Sequence, residues 1–154
     1  MNFTNNLEEA ERIEKLRNKM LKFILYKKRT EQEVRIKFAS EDENLVEDSI
    51  EYFKDQNYIN DYDYIERSIK EFIALKKMSI KEVKYKICQK GISNDLIDEY
   101  IYNNKEILLN FEISSAKAII IKKMGTLEEN EIKNYLIKKG YMQETINVAL
   151  DYIG

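Results

Sequence analysis

The sequence predicts an all-α protein: three tandem three-helix repeats forming an elongated, curved helical array. Three observations carry that expectation. Proline is absent and glycine occurs only four times in 154 residues, so nothing forces a break inside a helix. The chain also resembles itself at a spacing of 49 residues. Finally, a helix-start signal of the same type recurs once in every copy.

The self-similarity is read residue against residue. Lys27-Lys28-Arg29-Thr30 falls on Lys76-Lys77-Met78-Ser79, Glu33-Val34-Arg35 on Glu82-Val83-Lys84, and Val83-Lys84 on Ile132-Lys133. Lys76-Lys77-Met78 meets Lys122-Lys123-Met124 at a spacing of 46, so the third copy carries three extra residues, close to one helical turn. Residues 1–57 then hold an N-terminal extension and the first repeat, 58–103 the second and 104–154 the third.

Within each copy, hydroxyl and glutamate three residues apart form a capping box: Thr30/Glu33, Ser79/Glu82 and Thr126/Glu129. Gly91 and Gly140 follow Lys90 and Lys139, as left-handed residues that end a helix. The first copy lacks such a glycine and turns through Ser40–Asn44. The first helices are expected at about 8–28, 61–77 and 105–124, the second at 31–39, 80–90 and 127–139, and the third at 44–56, 94–103 and 142–153. Their apolar stripes are Ile13, Leu16, Met20 and Ile24, then Ile65, Ile69, Phe72 and Ile73, then Ile107, Phe111, Ala118 and Ile121. The pairs Val34/Phe38, Val83/Ile87 and Ile132/Leu136 take matching core positions. No unit buries much alone; stacking makes the shared core.

Composition removes several functions. Histidine is absent and Cys88 is the one cysteine, so His-activated nucleophiles, disulfide frameworks and His/Cys zinc sites are excluded. No glycine-rich phosphate loop is present. Asp61/Asp63 and Asp95/Asp98 resemble acid–base pairs, but acids at helix starts are accounted for by the positive helix end. Catalytic residues, metal ligands and cofactors are therefore expected to be none, and the protein is expected not to be an enzyme. Met1–Glu14 is polar and the longest aliphatic run is short, so a cytoplasmic protein without a membrane span is expected.

Charge is uneven although the net is only −2. Asp42–Asp55 holds six acids against one lysine, a local −5, whereas Ser79–Lys90 holds four lysines against one glutamate, a local +3. Basic residues recur at equivalent places: Lys27/Lys76/Lys122, Lys28/Lys77/Lys123 and Arg35/Lys84/Lys133. With Arg29, Lys37 and Lys86 they are the candidates for contact with a partner or with DNA phosphate. Lysines at helix ends also serve simply to complement helix dipoles. The tyrosines near helix ends, Tyr26, Tyr58, Tyr62, Tyr85 and Tyr102, are expected to be mostly half-buried packing residues, a subset anchoring an interface.

Arg29-Thr30-Glu31 with Val34-Arg35 and Lys37-Phe38; Tyr58-Ile59-Asn60-Asp61 with Tyr64; and Lys76-Lys77-Met78 through Lys90-Gly91-Ile92, echoed by Lys138-Lys139-Gly140-Tyr141, form an ordered set of motifs. Together these segments resemble the RecX family of bacterial RecA regulators. The resemblance covers roughly residues 14–153. Asn57 stands where the family pattern has glycine, Ile65 where it has alanine, and Met78-Ser79 where it has glycine. The resemblance implies a modulator that lies in the groove of a RecA filament on DNA. It would inhibit ATP hydrolysis and strand exchange and promote net filament disassembly, with at most weak direct contact to DNA. A helical-repeat scaffold for another cytoplasmic partner is the alternative.

Overall fold

A computed structural model of the chain describes residues 3–153. The readings made above for Met1, Asn2 and Gly154 lie outside the described residues. Nine α-helices follow in order: α1 (Phe3–Tyr26), α2 (Glu31–Lys37), α3 (Glu43–Asp55), α4 (Asp61–Leu75), α5 (Ile80–Cys88), α6 (Asn94–Asn103), α7 (Lys105–Lys123), α8 (Glu129–Lys138) and α9 (Gln143–Ile153). The described residues are thus all-α, and none of these helices is long and apolar enough to cross a membrane.

The helix starts follow local chemistry. Thr30 Oγ1 accepts from Glu33 N–H at 3.1 Å while the Glu33 carboxylate accepts from Thr30 N–H at 3.0 Å. Ser79 and Glu82 make the same box, with both distances 3.1 Å. The third box is not built on Thr126. The turn after α7 takes up Thr126 and Leu127, whose N–H groups donate to the Lys123 carbonyl at 3.2 and 3.0 Å. Helix α8 begins only at Glu129, and its box uses Glu128 and Glu131. The cap therefore keeps the 49-residue spacing (Thr30, Ser79, Glu128), and the three extra residues form a non-helical turn with Gly125 at φ 88°.

The chain divides into two compact units. The first comprises residues 1–64 with 90–92, the second residues 65–89 with 93–154. In the first, α1, α2 and α3 pack on one another around Leu16, Met20, Ile24, Val34, Phe38, Val46, Ile50, Phe53 and Ile59. In the second, α7 packs most extensively against α9. Ala116, Ile120, Ile132, Leu136, Tyr141, Ile146 and Ala149 form one core cluster there, and Ile65, Ile69, Val83, Ile87, Ile97 and Leu108 are also buried.

Two expectations about faces do not hold. Helix α7 turns Ile107 and Ile121 outward, 59% and 62% exposed, and also exposes Ala118; it buries Leu108, Phe111, Glu112, Ser115, Ala116 and Ile120. Apolar residues surround almost the whole of this helix, so periodicity alone does not select its buried side. Tyr26, Tyr85 and Tyr102 stand out of the surface, at 83%, 64% and 76% exposure, rather than half-buried.

Each unit holds a hydrogen-bonded joint of the same plan. In the first, Thr30 Oγ1 donates to the Lys90 carbonyl at 2.7 Å, and Asp61 Oδ1 accepts from Glu31 N–H at 2.9 Å. In the second, Ser79 Oγ donates to the Lys139 carbonyl at 2.8 Å, and Glu112 Oε1 accepts from Ile80 N–H at 3.0 Å. One hydroxyl therefore satisfies an orphan N–H at a helix start and an orphan C=O at a helix end. Glycine permits the approach. A β-carbon on Gly91 would lie 2.5 Å from Cβ and Cγ of Gln32, and one on Gly140 would lie 3.0 Å from Cβ and Cδ of Lys81.

Candidate partner-binding groove

The recurrent basic residues do not share one environment. Arg35 is consumed locally. Its guanidinium grips Glu47 through Nε at 2.6 Å and Nη2 at 3.1 Å, and reaches Glu31 at 2.9 Å. The hydrogen bond to Glu47 dominates in raising the Arg35 pKa, and the same bond holds the Glu47 carboxyl below its ordinary value. Lys84, its counterpart, pairs with Asp98 at 2.7 Å. Lys133 has no such acid, because Asn147 stands 49 residues beyond Asp98.

The group in the first unit is half structural. Arg29 donates to the Phe23 carbonyl at 3.2 Å and lies over the Phe23 ring at 3.8 Å, fastening the end of α1. Lys37 approaches the same ring at 5.7 Å, and Lys28 lies 3.8 Å from Asp63. Lys27 and, in the second unit, Lys86 project into solvent.

Within the second unit, Lys76, Lys77, Lys122 and Lys123 converge. They line a groove of about 400 Å³ together with Lys139, Tyr135, Leu75, Ala118 and Ile119. The ends of α4 and α7 deliver the first four lysines, and the end of α8 delivers Lys139. Lys76 takes a left-handed conformation, φ 49°, which stops α4 and turns the chain toward Ser79. Tyr135 holds two of the cations: Lys123 Nζ lies 4.1 Å from its ring centre and Lys139 Nζ 5.4 Å. The one carboxylate in salt-bridge range of these lysines among the described residues is Glu82, 3.8 Å from Lys139.

Magnitudes decide whether these lysines merely complement helix ends. Each helix C-terminus carries roughly half a negative charge, so three ends and Glu82 supply about −2.5 against five lysines. A net charge of about +2 to +3 is left facing solvent over an apolar floor. Sequence reasoning identified Lys76, Lys77, Lys122 and Lys123 but missed Lys139 and Tyr135. The signal for Lys139 was its place in the Lys-Gly helix end; nothing in the sequence singled out Tyr135 among eleven tyrosines.

Among relatives, the regulatory protein RecX of Clostridium beijerinckii is 33% identical over 152 residues, covering 94% of this chain and 70% of the relative. The chain belongs to the RecX family. RecX of Clostridium botulinum strain Eklund 17B is 28% identical, covering 91% of this chain and 69% of that protein. A crystal structure of RecX from Lactobacillus salivarius superposes with a TM-score of 0.78 at 23% identity, covering 93% of this chain and 97% of that one. A second RecX crystal structure gives 0.82 at 20% identity, over 98% and 80%. No protein-family model matches the chain. Asn57, in place of glycine, sits at φ 62°, a conformation that asparagine tolerates better than other side chains with a β-carbon.

Proposed function

We propose that this RecX-family chain binds RecA filaments on DNA, inhibits their ATPase and strand exchange, and promotes net filament disassembly. It acts as a cytoplasmic monomer by binding, without catalysis or a cofactor. Its three-helix repeats, 1–57, 58–103 and 104–154, would supply successive contacts along a filament, since repeated units make extended binding surfaces. The observation that carries the reading is the convergence of Lys76, Lys77, Lys122 and Lys123 in one groove of a RecX-family protein. Lys27 and Lys86 would add unpaired charge elsewhere on the binding surface, and Lys133 a half-buried one on α8. Arg35 and Lys84 contribute less, being committed to Glu47 and Asp98.

The test is RecA ATPase on single-stranded DNA, titrated with the protein. Suppression at sub-stoichiometric to equimolar ratios is the expected result. No effect at any ratio would sink the proposal.

A further inference from the structure

We propose that the lysine groove of the second unit is a seat for an acidic protein segment that carries an apolar side chain. This deepens the reading of the groove as a partner-binding face and rests on that reading. Charge complementarity selects an acidic occupant. Lys76, Lys77, Lys122 and Lys123 surround the opening, and none of them has a carboxylate partner among the described residues. A polyanion entering the groove therefore meets cations that need not first give up an ion pair.

The floor selects an apolar side chain. Ala118 is exposed and Ile119 half-buried on the last turns of α7. An anion alone would leave that surface wet, whereas an apolar side chain flanked by acids covers it and meets the rim. A single-stranded nucleic acid would supply the charge but suits the floor poorly. Its bases bind by stacking on free aromatic faces. The one aromatic ring here, Tyr135, is already approached by Lys123 at 4.1 Å and by Lys139. No arginine lines the groove, so bidentate grip of phosphate is also lacking.

The experiment uses the whole chain and fluorescence polarisation at low salt. The probe is a short labelled peptide of aspartate and glutamate with one central leucine. A control replaces leucine with serine, and a second control is an oligothymidylate of equal charge. The leucine peptide should bind about tenfold more tightly than either control. Joint substitution Lys76→Gln, Lys77→Gln, Lys122→Gln and Lys123→Gln should weaken it by at least about tenfold. The single substitution Ala118→Glu, on an exposed helix position, should weaken it comparably. Circular dichroism checks that both variants keep their helicity. Equal binding of the serine control, tighter binding of the oligothymidylate, or unaltered binding by the folded variants would each overturn the proposal. RecA ATPase inhibition, measured separately, distinguishes the two readings. If wild-type inhibits RecA but does not prefer the leucine peptide, the seat fails and the filament reading stands. If the peptide is captured and RecA is unaffected, the filament reading fails.

Discussion

The joints in the two compact units do the same work with different acids. In both, a capping hydroxyl spans 60 residues to a carbonyl, and a carboxylate accepts the first N–H of the capped helix. In the first unit the acid is Asp61, half-buried, with Lys54 and Arg35 close enough to favour its charge. In the second it is Glu112, fully buried, which accepts a further hydrogen bond from the Thr145 hydroxyl at 2.5 Å. Leu96, 49 residues before Thr145, carries no hydroxyl, so the sequence repeat does not preserve this donor. One geometry is thus maintained in a wet and in a dry setting. A lost hydrogen bond should cost more in the dry one, because water cannot replace the missing partner.

The largest test of that difference is truncation of the acids. Glu112→Ala leaves two donors and a small void inside the second unit, and should cost about 2–3 kcal/mol. Asp61→Ala lets water reach the Glu31 N–H and should cost about 1 kcal/mol. Urea unfolding midpoints check both. Equal losses would show that solvent access does not separate the joints.

The glycines sharpen the comparison in the opposite direction. Both have positive φ, so Gly91→Ala and Gly140→Ala each incur roughly 1 kcal/mol of backbone strain. The new methyl at residue 91 is the more crowded, 2.5 Å from Gln32 against 3.0 Å from Lys81. Gly91→Ala should therefore cost about 2 kcal/mol in total and exceed Gly140→Ala. The opposite order, in thermal or urea unfolding, would mean that Gln32 moves aside more easily than Lys81.

The smallest effect is a pH dependence at the wet joint. Burial, chiefly, raises the Asp61 carboxyl above its ordinary 3.8. Its contribution to stability is then fully present below that value and lost as pH rises through the folded value. Asp61→Asn keeps an oxygen for Glu31 N–H but does not titrate. Relative to wild type it should gain a few tenths of a kcal/mol between about pH 3 and pH 7, the size being limited by solvent screening. Unfolding midpoints at the two pH values measure it, and a relative loss on raising the pH would reverse the sign assigned to Asp61.

Much of the fold was legible in the sequence because its signals are local. Thr30/Glu33 and Ser79/Glu82 act within one turn, and Val34/Phe38 and their counterparts, about one turn apart, mark a buried stripe. Thr126 misled because a hydroxyl three residues before a glutamate satisfies the same pattern, while the turn ahead of it had already engaged its N–H. The face of α7 misled for a different reason: Ile107, Ile121 and Ala118 are apolar yet exposed, whereas Glu112 is charged in type yet buried. An acid set between Phe111 and Ile113, 51 residues after Asp61, was the available hint.

The candidate groove divides along the same line. That Lys76/Lys77 and Lys122/Lys123 are repeat equivalents follows from the sequence alone, as do the helix ends that carry them. That these pairs meet in one groove while Lys28 reaches Asp63 and Arg35 binds Glu47 was decided only by tertiary structure. Helix starts and stops depend on hydrogen bonds spanning three or four residues, which any stretch of sequence displays. Which lysines face one another, and which acid is desolvated, depends on packing between segments tens of residues apart, where one residue's rotation of a helix exchanges a solvated side chain for a buried one.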